Sequence, residues 1–149
     1  MQNLLTCADA SMVAKLILVE ADSGRAALRW ETWLRAGQTI CAPQLLPYEV
    51  ASALRLRVWR KLLTRQEAAQ AFQDFLALDV VITDPPGLGM RALELAHLFN
   101  RPNAYDAHYL ALAEALDCEL WTADERLYDA VKGELVWVRG LGAWEADGQ

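Results

Sequence analysis

Asn103-Ala-Tyr-Asp106-Ala-His-Tyr-Leu-Ala-Leu-Ala-Glu-Ala-Leu-Asp117-Cys-Glu-Leu-Trp-Thr122-Ala-Asp124-Glu-Arg-Leu127 is the stretch whose reading decides the fold. Ala107, Tyr109, Leu110, Ala111, Leu112, Ala113, Ala115 and Leu116 leave the first half almost no polar face, so it predicts a helix buried on most sides. Asn103 is placed to cap that helix, with Asp106 at the third position reaching back in a capping-box sense. Glu119 to Thr122 is short and β-prone, and it follows the helix closely enough to be the next strand. Two carboxylates, Asp106 and Asp124, therefore bracket a core helix and a strand.

Outward from that stretch the same alternation repeats. Leu4 to Ala8 predicts a buried strand ending on Asp9, followed by helices over 11–20 and 22–36. Thr39 to Ala42 is a second strand. A helix follows from about Leu45 to Leu63, with Glu49 in its first turn. Thr64 and Glu67 form a capping box for a helix running to about Leu78. Asp79 to Thr83 is a third strand, 90–99 a further helix, 124–132 a short one, and Leu135 to Val138 the last strand. Apolar strands alternating with helices predict an α/β fold, a parallel sheet covered on both faces with right-handed crossovers. In such sheets the ligand crevice lies beyond the C-terminal ends of the strands. Asp9 and Asp124 stand at such ends, and Glu49 and Asp106 stand in first helical turns, where the helix dipole favours an anion.

Size and composition set the outer bounds. The chain of 149 residues predicts one domain, 1–149, with a core over about 4–138 and a C-terminal tail over 139–149. It is 54% hydrophobic and 23% charged, ordinary globular material. Cys7, Cys41 and Cys118 are scattered without Cys-x-x-Cys spacing, which predicts reduced core thiols in a cytoplasmic protein. The N-terminus lacks a basic segment and carries Asp9 within its apolar part, unlike a signal peptide, and no apolar run predicts a membrane span. A net charge of −6 argues against broad nucleic-acid affinity. Positive charge is concentrated instead, in Arg55, Arg57, Arg60, Lys61 and Arg65, as a solvated helix face or as an RNA- or partner-docking edge.

Each acid also has a structural explanation. Asp106 and Asp124 could cap helices and Glu49 could satisfy a helix dipole. Asp9 resists that account, since it follows an apolar strand directly and an unpartnered buried carboxylate costs several kcal/mol. Four acids at one rim with no nearby His or Lys raise one another's pKa. A hard divalent cation, Mg²⁺ or Mn²⁺, relieves that repulsion through all-oxygen ligation. His97 and His108 have no metal-ligand spacing and read as structural. A phosphoacceptor domain would need an acceptor acid and a Lys where Asp84 and Arg139 stand, and a dehalogenase-type phosphatase would need Asp-x-Asp where Ser11 stands.

Taken together, Asp9-Ala-Ser11, Tyr48-Glu49-Val50, Tyr105-Asp106-Ala107 and Thr122-Ala-Asp124 resemble the PIN domain, and within it the VapC-type ribonuclease toxins. The resemblance runs from Leu4 to about Val138, although Cys7-Ala8 stands where the family usually has bulkier apolar residues. It implies a three-layer α/β/α fold with a five-stranded parallel sheet in order 3-2-1-4-5. It implies an Mg²⁺- or Mn²⁺-dependent endoribonuclease leaving 5′-phosphate and 3′-hydroxyl ends, often a homodimer held by an antitoxin. Under that reading Asp9 and Asp106 are the principal metal ligands, Asp124 and Glu49 complete the acidic cup, and Ser11 and Thr122 orient them from behind. The alternative is a catalytically silent PIN-fold module that binds RNA or a protein partner.

Overall fold

The computed structural model describes residues 4–145. Five strands form one parallel sheet: β1 (Leu5–Ala8), β2 (Thr39–Ala42), β3 (Val81–Ile82), β4 (Glu119–Thr122) and β5 (Val138–Gly140). Their order is β3-β2-β1-β4-β5, as expected. β1 and β4 are therefore neighbours, with Cys7 opposite Leu120 and Ala8 opposite Trp121. The Asp9 N–H extends that ladder by donating to the Trp121 carbonyl at 3.2 Å. Asp9 is thus held level with the end of β4.

The connecting helices are α1 (Ala10–Ile17), α2 (Ser23–Arg35), α3 (Leu45–Trp59), α4 (Arg65–Leu76), α5 (Leu88–Leu98), α6 (Tyr105–Leu116) and α7 (Glu125–Val131). Right-handed crossovers in this strand order put α1 to α4 on one face and α5 to α7 on the other. The packing agrees: α1 touches α2, α3 and α4, whereas α5 packs on α6. The central strands are buried on both faces, which explains their unbroken apolar runs.

Several boundaries differ from expectation, each for a local reason. Helix α3 stops at Trp59, since Lys61 turns into the left-handed region at φ 61°. Asn103 does not cap α6 through a box with Asp106: its side chain accepts from the Tyr105 N–H, Ala104 takes the cap position, and Asp106 turns elsewhere. The turn before α2, where the sequence leaves Asp22 or Ser23 open as the cap, is tied by Ser23 donating to the Leu18 carbonyl, and Asp22 makes no side-chain cap. The last strand is Val138–Gly140, not Leu135–Val138. Gly140 belongs there because a Cβ would sit 2.8 Å from the Tyr128 ring. Packing then continues through the buried Leu141 and Trp144, within the segment expected to be a tail, whose last four residues lie outside the described ones. The Thr64–Glu67 capping box forms as expected.

Candidate active site

Two strand-to-helix junctions build the floor of the acidic end. Asp9 follows β1 and caps α1, its Oδ1 accepting from the Met12 N–H at 3.1 Å and from Ser11 Oγ at 2.5 Å. Asp124 follows β4 and caps α7, its Oδ1 accepting from the N–H groups of Arg126 and Leu127. Ser11 and Thr122 stitch the junctions together. Their hydroxyls lie 3.2 Å apart, Ser11 Oγ accepts from the Ala123 N–H at 2.8 Å, and Thr122 Oγ1 accepts from the Asp124 N–H at 3.0 Å. Each hydroxyl thus holds the opposite or following carboxylate-bearing turn in place.

Glu49 and Asp106 approach from the helices. Tyr109, fully buried on α6, donates its phenol O–H to Glu49 Oε1 at 2.6 Å and ties α3 to α6. Asp106, one turn earlier on α6, interacts electrostatically with both Asp9 and Glu49. Asp9, Glu49 and Asp106 therefore converge around Tyr109. Asp124 is connected to Asp9 only through the Ser11–Thr122 link, and its own Oδ1 faces the start of α7.

The electrostatics follow from this crowding. Burial pushes the Asp9 carboxyl up to about 6, opposed by hydrogen bonds from Ser11, Thr122 and Met12 and reinforced by the charge on Asp106. Burial also raises Glu49, and Asp106 adds to it, while the Tyr109 hydrogen bond and His108 act the other way. Tyr109 is held far above its usual range by burial, then by Glu49, so it stays a donor.

One expectation is corrected: the acids are not left without a cation. Arg101, just before α6, reaches Asp106 Oδ2 at 3.1 Å with only 15% of its side chain exposed. Its signal in the sequence is faint, a lone Arg beside a proline. The other contributors that sequence reasoning misses are Tyr109, hidden among core residues, and Tyr48 and Tyr105, both exposed and lining a cavity of about 340 Å³ beside Glu49. Asp9 keeps no ion-pair partner among the described residues.

The cations of the basic segment differ in their partners. Arg57 is half-buried and pairs with Glu20 at 3.2 Å. Arg55 stacks on Trp59, and with Arg65 it borders a mostly apolar cavity between α3 and α4. Arg60 and Lys61 are exposed at the helix end.

The donor set, four carboxylates with hydroxyls behind them, suits a hard cation, and the costly ionisation of buried Asp9 is the misfit a cation would relieve. Among the described residues no three His, Cys, Asp or Glu side chains stand close enough to hold an ion as they are. No helix among them is long and apolar enough to cross a membrane.

Comparison with known proteins follows the same lines. The model of the PIN domain matches residues 6–133. The VapC ribonuclease Mb0985 of Mycobacterium bovis is 39% identical over 118 residues, covering 76% of this chain and 90% of that protein. Ribonuclease VapC12 of Mycobacterium tuberculosis is 34% identical over 119 residues, covering 80% and 86%. In fold, the crystal structure of PAE2754 from Pyrobaculum aerophilum aligns at a TM-score of 0.64 and 23% identity, covering 89% of this chain and 90% of that one.

Proposed function

Since this chain belongs to the PIN-domain family, with VapC ribonucleases among its relatives, we propose that it is a metal-dependent endoribonuclease and the toxin of a toxin–antitoxin pair. The observation that carries this reading is Asp9: a buried carboxylate at the end of β1, faced by Asp106 and paired with no cation among the described residues. Asp9, Asp106, Glu49 and Asp124 would hold the ion. When bound, a hard divalent cation such as Mg²⁺ or Mn²⁺ supplies charge stabilisation at a scissile phosphate and acidifies water there.

The chain's own groups do the positioning. Ser11 fixes Asp9 Oδ1, Tyr109 fixes Glu49 Oε1, and Arg101 fixes Asp106 Oδ2, so each acid has one oxygen committed to the protein. That shared restraint leaves the other oxygen of each acid to be drawn toward an ion. Tyr48 and Tyr105 offer aromatic faces beside the acids on which RNA bases can stack. Arg60 and Lys61 offer charge to backbone phosphates further along. The partners implied are an RNA substrate, a cognate antitoxin and a second copy of the chain, in the cytoplasm. An antitoxin Arg or Lys inserted among the acids would match their charge and compete with the cation.

The test is cleavage of RNA in Mn²⁺ by wild type, Asp9→Asn and Asp106→Asn, with folding checked by circular dichroism. Each variant should lose at least about a hundredfold in rate, equivalent to ~3 kcal/mol of transition-state stabilisation. Undiminished cleavage by folded Asp9→Asn defeats the site. RNA binding by wild type without any cleavage would favour the silent module instead.

A further inference from the structure

Of the three cysteines, two meet. Cys7 Sγ and Cys118 Sγ lie 3.6 Å apart, and both thiols are free and buried. Cys7 lies on β1 and Cys118 immediately before the neighbouring β4, and they meet diagonally: Cys7 is opposite Leu120, two residues after Cys118. Carried back one residue from β4, the alternation of side chains sets Cys118 on the same side as Leu120 and Cys7, in keeping with the short Sγ–Sγ distance. Cys118 also lines a cavity of about 470 Å³ with Thr6, Arg29, Trp33, Glu114 and Asp117, which gives a small polar oxidant a route to it.

We propose that Cys7 and Cys118 are an oxidation site, closed by a hydroperoxide into a disulfide that draws β1 along β4 and displaces Asp9. The Cys118 sulfur attacks the O–O bond, becoming a sulfenic acid while the peroxide is reduced to an alcohol or, for hydrogen peroxide, to water. The Cys7 sulfur then attacks the sulfenic sulfur, the S–S bond forms, and hydroxide leaves with the Cys7 proton as water. Two thiols and one hydroperoxide give one disulfide, one alcohol and one water, a two-electron exchange.

The diagonal placement makes the bond consequential. In an ideal parallel sheet, residues one strand over and two positions along are about 8 Å apart at Cα, from ~4.8 Å between strands and ~3.3 Å per residue. A disulfide needs a Cα separation of roughly 4.4–6.8 Å. Closure therefore draws Cys7, and β1 with it, toward Cys118, whose N–H is anchored on the Ala113 carbonyl at the end of α6. Asp9 lies two residues beyond Cys7 and hangs on β4 by its N–H bond to the Trp121 carbonyl, so it moves with that shift. A bond made under such strain is also readily reduced, which makes the state reversible.

The bond stands on the geometry alone, and its effect on cleavage rests on the nuclease reading. The experiment treats the reduced full chain with hydrogen peroxide, then measures intact mass, free thiols by alkylation and RNA cleavage. Expected is a loss of about 2 Da with Cys7 and Cys118 both protected from alkylation and linked in peptide mapping. Cys41→Ala should retain that loss; Cys118→Ala and Cys7→Ala, each checked for folding, should abolish it. Cleavage should fall about a hundredfold on oxidation, the scale of a ~1 Å misplacement, and return with dithiothreitol. Alkylatable Cys7 after oxidation, or Cys118 ending as a sulfinic acid, overturns the site. A disulfide that forms with cleavage unchanged overturns its coupling to Asp9. Reduced wild type that cleaves nothing counts against the nuclease reading, while mass and alkylation still decide the bond.

Discussion

Helix α3 handles charge in opposite ways at its two ends. Near its start, Glu49 is held half-buried beside two more acids, where burial raises its carboxyl and a buried phenol holds it. Near its end, the cations that crowd together in sequence are dispersed: Arg57 onto Glu20, Arg55 onto the exposed Trp59 ring, Arg60 and Lys61 into solvent. One end concentrates like charge where water is scarce, and the other dilutes it where water is plentiful. Charge density along a sequence is therefore a poor guide to a site. What marks one is charge that the fold holds in spite of its cost.

The largest effect should come from Asp9 in metal-free protein. Its folded pKa of about 6 lies above the ordinary 3.8, so ionising it is harder in the folded state. Stability from this group is fully present below the ordinary value and is lost as pH rises through about 6. The shift of about two units corresponds to roughly 3 kcal/mol as an upper figure. Asp9→Asn should therefore be more stable than wild type at pH 8 and about equal at pH 4, in urea titrations with chelator present. A difference that does not change with pH would break the contrast at its acidic end.

Metal should act on the same cost from the other side. Mn²⁺ at about a hundred times its Kd should stabilise wild type by ~2.7 kcal/mol, read as a raised Tm, and Asp9→Asn should lose most of that gain. Equal gains in both proteins would move the ion away from Asp9.

Asp124 should separate into two effects. Asp124→Ala removes the α7 cap and should cost about 1 kcal/mol in urea titrations, whereas Asp124→Asn should hold stability within a few tenths. Both should cleave RNA more slowly. If Asp124→Asn cleaves like wild type, Asp124 is a cap and nothing more.

The smallest effect belongs to the basic end. Arg60→Glu with Lys61→Glu should weaken RNA binding and flatten the salt slope, by about 0.7 for each phosphate left without its cation. Arg57→Glu should instead cost up to about 1 kcal/mol of stability through Glu20, with the slope unchanged. A slope that follows Arg57 would mean the helix edge works as one surface after all.

What can be read from the chain alone follows from which signals are local. β2 and β4 stand at the bounds their apolar runs predict, because a central strand buried on both faces leaves no ambiguity. The positions of the four acids are legible because strand ends and helix starts are marked by abrupt polarity. Arg101 is not, since only tertiary packing brings its guanidinium to Asp106. Nor is Gly140: glycine disfavours strands, and the reason for it here is a tyrosine ring from α7. β3 is two exposed residues, too short for any pattern to bound.

Asp9 and Asp124 both begin helices, each with a side-chain oxygen accepting backbone N–H groups. Any neutral residue with an oxygen at the same reach begins a helix nearly as well. Chemistry and architecture can thus part company one atom at a time: Asn or Ser at either position would preserve the turn and discard the charge. A descendant that has given up cutting RNA, yet still needs its shape to meet a partner, has a short path open to it. Its history would be written at these two junctions, as polar caps where acids once stood, above a sheet that had not changed.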